Sequence, residues 1–154
     1  MNPMNSFVQI VLVETSHPGN IGSVARAMKN MGLSNLALIK PKKFPHQEAI
    51  ALAGNAVDIL NEAKTFNSID SAVQNSKVIY ATSARERTID WPTVTARDAA
   101  DEIYELATNK IEVSILFGRE DRGLTNEELQ LANKHLIIPA HPEYPVLNIA
   151  MSAQ

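Results

Sequence analysis

The chain has 154 residues, 45% hydrophobic and 20% charged, with no cysteine and a formal net charge of −3. This is enough for one domain to bury its own core, and the absence of cysteine excludes disulfides and thiolate metal sites and fits a cytoplasmic protein. The acidic balance is unlike that of a simple nucleic-acid binder; no apolar run approaches a membrane span and no signal-peptide pattern is present, while His17, His46, His135 and His141 lack metal-ligand spacing.

Val8–Val13 is an apolar run of strand length that stops at Glu14. After a polar, turn-rich stretch a helix starts at Pro18-Gly19-Asn20, with Ile21, Val24, Ala25 and Met28 on one buried stripe of a pattern running over Ile21–Met31. Further strands are expected at Leu36–Ile39, Lys77–Ala81, Ile111–Phe117 and His135–Ile138. Further helices are expected at Gln47–Ala53, Ala56–Ala63, Ile69–Gln74, Ala96–Ala107 and Asn126–Ala132. Thr95 with Asp98 and Thr125 with Glu128 are capping-box pairs, and Leu124 and Leu129 occupy the positions of a hydrophobic staple. Pro139, Pro142 and Pro145 mark a loop rather than a domain boundary. The alternation predicts a single α/β domain over residues 1–154, a mostly parallel sheet with helices on both faces.

The chemistry-bearing residues cluster after strands: Glu14–Asn20 after the first, Thr82–Arg87 after the third, Gly118–Gly123 after the fourth and Pro139–Pro145 after the fifth. In a parallel sheet these loops share one edge, where ligands bind. Basic residues lie near the same strand ends: Lys40, Lys42 and Lys43, then Arg85 with Arg87, then Arg119 with Arg122. They either converge as a positive patch on an acidic protein or are scattered solubilising charge. Asn20 could be only a helix N-cap and Arg26, off the buried stripe, only a solvated charge. Dinucleotide and P-loop fingerprints are absent: Leu124-Thr125 stands where a P-loop needs Lys-Ser/Thr. No nucleophile elbow or catalytic cysteine is present.

The run VETSHPGNIGSVARAMKNMG at residues 13–32 resembles the first motif of the SPOUT superfamily of knotted RNA methyltransferases, in its SpoU/TrmH class. Thr82-Ser83-Ala84-Arg85 follows in order. Phe117-Gly118-Arg119-Glu120 with Gly123-Leu124-Thr125-Asn126-Glu127-Glu128-Leu129 is similar to the second motif, and Pro142-Glu143-Tyr144 with Leu147-Asn148-Ile149-Ala150-Met151 to the third. The likeness covers nearly all of residues 7–154 and is nearest to bacterial tRNA 2′-O-methyltransferases acting at nucleotide 32.

The resemblance implies a SPOUT fold with a C-terminal trefoil knot, a homodimer, S-adenosylmethionine as cofactor, tRNA as partner, and no metal or membrane. It implies that Arg26, Asn20 and Asn148 occupy catalytic positions, with Asn20 orienting the arginine or the acceptor nucleotide. Glu120 is read as support for the catalytic site, orienting Arg26 or a loop amide, or else as an ordinary surface acid. The cofactor is expected on Thr82, Ser83, Ala84, Leu116, Gly118, Arg119, Ile138, Leu147 and Asn148. Gly118 permits close backbone approach to a ligand, or serves only as a strand-to-loop turn. The RNA edge is expected at Lys42, Lys43, Arg85 and Arg122. Methyl transfer to a ribose 2′-hydroxyl needs in-line placement and help for the oxygen as it loses its proton. Arg26 suits stabilisation of the alkoxide or phosphate positioning, because a guanidinium is a poor base, with proton acceptance left open. Two features depart from the family: Val146 stands where Ser is frequent, removing a hydroxyl, and Gln154 falls early in the expected final helix. A non-catalytic RNA- or nucleotide-binding domain on the same scaffold is the alternative. Trp91 beside Pro92 reads as a packing anchor.

Overall fold

The computed structural model describes residues 6–83, 92–120 and 122–138. In chain order the elements are β1 (Val8–Val13), α1 (Pro18–Asn30), β2 (Asn35–Ile39), α2 (Gln47–Ala53), α3 (Val57–Glu62), β3 (Lys64–Phe66), α4 (Ile69–Ala72), β4 (Val78–Ser83), β5 (Thr93–Thr95), α5 (Ala96–Thr108), β6 (Val113–Phe117), α6 (Asn126–Leu129) and β7 (Lys134–Ile137). The strands form one seven-stranded sheet in the order β3-β2-β1-β6-β4-β7-β5. Every pairing between them is parallel, with Ile10 opposite Leu36 on one side and Ile115 on the other.

The pleat sorts each strand's side chains onto two faces. Val8, Ile10 and Leu12 of β1 pack in one buried cluster with Ile21, Val24, Ala25 and Met28 of α1 and Val113, Ile115 and Phe117 of β6. Val11 and Val13 pack in the other, with Ala37, Ile39, Ile69, Leu116, Leu124 and Leu129. A sheet apolar on both faces must be covered on both, so the expected α/β class and helix-covered parallel sheet are the observed ones. Helices α1 and α2 approach very closely. A Cβ built at Gly22 would lie 2.1 Å from the Ala49 carbonyl oxygen and 3.0 Å from the Ala53 nitrogen.

The boundaries of β1 and α2 are those expected. β3 and β5 were not expected, and both are three-residue strands at the two edges of the sheet. One side of each is unpaired and most of their residues are exposed, so they carry no apolar run. The strand expected from Ile111 starts at Val113 instead, because Lys110 turns through φ 61° and the Ile111 amide is still bonded to the Leu106 carbonyl of α5, at 2.9 Å. β4 runs two residues further than expected because Thr82 and Ser83 pair with Leu136 and Ile137 of β7. The third motif, the expected final helix and the expected knot fall in residues 139–154, outside the described residues. No helix among the described residues is long and apolar enough to cross a membrane.

Candidate active site at the carboxyl edge of the sheet

β1, β6, β4 and β7 are neighbours and parallel, so their carboxyl ends lie side by side. The segments that leave them are tied together. Thr82 Oγ1 donates to the Leu116 carbonyl at 2.8 Å, joining the ends of β4 and β6. The Ile138 amide donates to the Ser83 carbonyl at 2.9 Å, joining β7 to β4. Thr82, Ser83, Leu116 and Ile138, expected from separate motifs, thus form one continuous wall. Leu116 is fully buried, so only its backbone can face a ligand.

The turn after β1 begins at Glu14 in a left-handed conformation, φ 51°, with its amide bonded to the Ile39 carbonyl at the end of β2. The Thr15 carbonyl accepts from the Lys42 amide at 3.1 Å, which sets the loop of Lys42 and Lys43 beside this turn. Both lysines are exposed. The Thr15 hydroxyl is buried and has no hydrogen-bond partner.

Helix α1 opens with Pro18 in its first turn. Its N-cap, His17, makes no side-chain cap bond, and the first turn holds no acidic residue. The missing anion comes from Glu120, 100 residues further along than Asn20. Its carboxylate accepts from the His17 amide at 3.0 Å and the Ser16 amide at 3.1 and 3.2 Å. It also accepts from Asn20 Nδ2 at 3.0 Å and Ser16 Oγ at 3.3 Å. Burial pushes the Glu120 carboxyl up, but the His17, Asn20 and Ser16 hydrogen bonds outweigh burial and hold it below the ordinary carboxylate range. Asn20 is therefore not the helix cap. It sits inside the first turn with its amide turned toward Glu120. Of the expected roles for Glu120, it holds loop amides; no ion pair joins it to Arg26, which lies exposed on the outer face of α1.

The loop after β6 folds back on itself through paired Arg119 and Gly123 backbone bonds of 3.1 and 2.9 Å. A Cβ at Gly118 would lie 2.1 Å from the Gly123 carbonyl carbon and 2.3 Å from the Leu124 nitrogen. Glycine is thus required there by the chain's own backbone. The Arg119 side chain is gripped by both oxygens of Glu128, at 2.8 and 3.0 Å, and also donates to Glu14. Glu128 hydrogen bonding holds the Arg119 guanidinium above its usual range against the opposing effect of burial, and Glu14 adds to it. Burial pushes Glu128 up, yet Arg119 and the Thr125 amide bring it below the usual carboxylate range. The Arg119 charge is consequently spent on Glu14 and Glu128 and does not add to a positive patch with Arg122, which is the correction to that expected cluster. Arg122 is exposed on the same loop. Glu14 and the second task of Glu128 escaped sequence reading. Glu128 was legible only as the capping partner of Thr125, a box formed in both halves. Ala84, Arg85, Trp91, Val146, Leu147 and Asn148 lie outside the described residues. His46 caps α2, and buried His135 bonds the Leu129 carbonyl, so both are structural.

This parallel sheet with its covering helices is the fold of the SPOUT methyltransferases. A probable methylase family protein from Haemophilus influenzae Rd KW20 matches it with a TM-score of 0.88 at 44% identity, over 96% of this chain and 61% of that one. TrmJ from Z. mobilis ZM4 matches at 0.89 and 36% identity, over 94% and 64%. The more distant SpoU methyltransferase AviRb of Streptomyces viridochromogenes, solved in complex with the cofactor AdoMet, shares the fold at a TM-score of 0.69 and 16% identity, covering 97% of this chain and 54% of that one. The SpoU rRNA Methylase family model matches residues 8–154, and the chain belongs to this family. It is 48% identical over 147 residues to the tRNA (cytidine/uridine/adenosine-2′-O-)-methyltransferase TrmJ of Pseudomonas aeruginosa UCBPP-PA14, covering 96% of this chain and 57% of that one. The chain spans about three fifths of the length of the curated relatives it matches.

Proposed function

We propose that the chain is the methyl-transferring domain of a tRNA 2′-O-methyltransferase, with S-adenosylmethionine as donor and the ribose of cytidine or uridine at nucleotide 32 as acceptor. The observation that carries this reading is the Glu120 bridge. It joins Asn20 and the start of α1 to the loop after β6, one of the segments expected to receive the donor. Relatives named tRNA (cytidine/uridine-2′-O-)-methyltransferase TrmJ support the substrate class, and the AdoMet complex of AviRb supports the donor.

The residues present fit such a donor. Its adenosine and amino-acid portions need several hydrogen-bonding groups close together. The Thr82 and Ser83 segment, the backbone at Leu116, Gly118 and Arg119, and Ile138 supply these from strand ends already bonded to one another. Ala84, Leu147 and Asn148 complete the set proposed from the motifs. When bound, the donor supplies an electrophilic methyl carbon. The guanidinium of Arg26 stabilises the 2′-oxygen as it loses its proton or holds the adjoining phosphate. Asn20, fixed by Glu120, orients the acceptor nucleotide together with Asn148. Lys42, Lys43, Arg85 and Arg122 dock the tRNA backbone, and the protein acts as a cytoplasmic homodimer.

The test is incubation of the full chain with methyl-labelled S-adenosylmethionine and total tRNA, followed by mapping of the modified nucleotide. Label at the 2′-oxygen of nucleotide 32 is expected. Cofactor-independent RNA binding without label would instead favour a non-catalytic domain. Because phosphate neutralisation dominates RNA affinity and the chain carries net −3, residues 1–154 alone should bind tRNA weakly. Filter binding at two salt concentrations, with the four basic positions neutralised in turn, checks this.

A further inference from the structure

We propose that Glu14 is a positioning residue: through Arg119 it sets the turn that starts α1 against the loop after β6. The proposal rests on the methyltransferase reading above for its kinetic consequence, but its geometric basis is independent of it.

Two consecutive residues of the β6 loop reach across to the β1 turn and take hold of it on either side of Thr15. Arg119 binds Glu14, before Thr15, and Glu120 binds Ser16, His17 and Asn20, after it. One attachment alone would leave a hinge; two fix the turn in both translation and rotation. Glu14 is suited to its half because its left-handed backbone, pinned by the bond to Ile39, ends β1 abruptly at the carboxylate that reaches Arg119. Arg119 is suited to its half because Glu128 grips two of its nitrogens and is itself anchored at the start of α6, where its Oε1 accepts from the Thr125 amide at 2.8 Å. The guanidinium is therefore a fixed post, and Glu14 is the movable partner that registers on it. Its side chain is about one-third exposed, against 20% for Arg119, so Glu14 can be altered without opening the core. Neither Glu14 nor the Arg119 side chain is needed to touch donor or acceptor. Their effect passes through the placement of Asn20 and Arg26 relative to the donor wall, and misplacement of reacting groups by about an ångström is enough to slow a group transfer severely.

The test is a double-mutant cycle of Glu14→Ala and Arg119→Ala, read in kcat on tRNA and in S-adenosylhomocysteine affinity. Glu14→Ala should lower kcat roughly tenfold while S-adenosylhomocysteine affinity stays within about threefold. Glu14→Gln, which keeps an acceptor oxygen, should recover part of the loss. The double variant should be little slower than Arg119→Ala alone. Multiplicative effects on kcat, or a loss confined to cofactor affinity, would overturn the proposal. If Glu14→Ala does not fold, Glu14→Gln takes its place in the cycle. Amide exchange without cofactor or RNA separates this idea from the function itself. Glu14→Ala should speed exchange at Ser16, His17, Arg119 and Gly123 even in a protein that proves inactive, with Glu14→Gln between it and wild type, and unchanged exchange in Glu14→Ala would also overturn it.

Discussion

Around Gln9, at the amino ends of β1 and β6, the cross-links are neutral. Gln9 Nε2 donates to the Ala72 carbonyl at 3.0 Å and to Ser114 Oγ at 2.9 Å, and Ser114 shares a further hydrogen bond with Ser76. Beyond the carboxyl ends of β1 and β6 the turn and the loop are joined through charged groups: Glu14 and Glu128 on Arg119, and Glu120 on the first amides of α1. Both ends solve the same problem, since a parallel sheet joins distant segments and leaves polar groups at its rims. The neutral solution binds at any pH. The charged one uses bonds to ionised groups, roughly twice as strong as neutral ones, but it depends on ionisation.

The largest effect expected at the charged rim is on activity alone. Arg26→Ala removes an exposed side chain, so the melting temperature should hold, while methyl transfer falls by about 10²-fold or more if the cation acts at the transition state. Full activity, or loss of folding, would show that the outer face of α1 is not part of the working edge. Next is Gly118→Ala. With backbone only 2.1 Å from the new methyl carbon, the loop must open, at a cost on the order of 1–3 kcal/mol. Calorimetry should register this as a clear drop in melting temperature, together with lost cofactor binding. A silent substitution would mean that the loop yields freely.

Glu120→Gln sharpens the contrast between the rims. The carboxyls of Glu120 and Glu128 titrate lower in the folded chain than their ordinary value of 4.5. Their contribution is therefore complete above about pH 4.5 and is lost as pH falls through the lowered folded-state values. Urea midpoints should show a gap between wild type and Glu120→Gln near neutrality that narrows in acid. The smallest effect is at the neutral rim. Gln9→Ala should cost about 1 kcal/mol, with no pH dependence across the same range. A gap for Gln9→Ala that closed in acid, or one for Glu120→Gln that did not, would erase the distinction.

How far the sequence disclosed this architecture follows from which signals are local. The apolar run of β1, the stripe on α1 and the Thr125–Glu128 box are short-range patterns, and all appear where the sequence puts them. β3 and β5 have no such pattern, because an exposed edge strand need not be apolar. In the candidate site, the approach of the β1 turn to the β6 loop was legible from strand order, while most of the loops after β4 and β7 lie outside the described residues. The side-chain partners that join the turn to the loop were not legible. Arg119 and Glu14 are 105 residues apart, and nothing in the spacing of charged residues says which carboxylate a surface arginine will choose. Arg119 consequently read as part of a positive patch when its charge is already neutralised by Glu14 and Glu128.

The contact at Gly22 has a consequence for how variation in this domain would be read. Because α2 rests directly on the glycine face of α1, and the loop that enters α2 is also held at Thr15, the lysines of that loop move with the helix bearing Asn20 and Arg26. A survey of substitutions scored for RNA affinity should therefore return Gly22, Ala49 and Ala53 alongside Lys42 and Lys43. Three small, uncharged residues, Ala49 and Ala53 fully buried, would register as determinants of recognition without ever meeting a nucleotide.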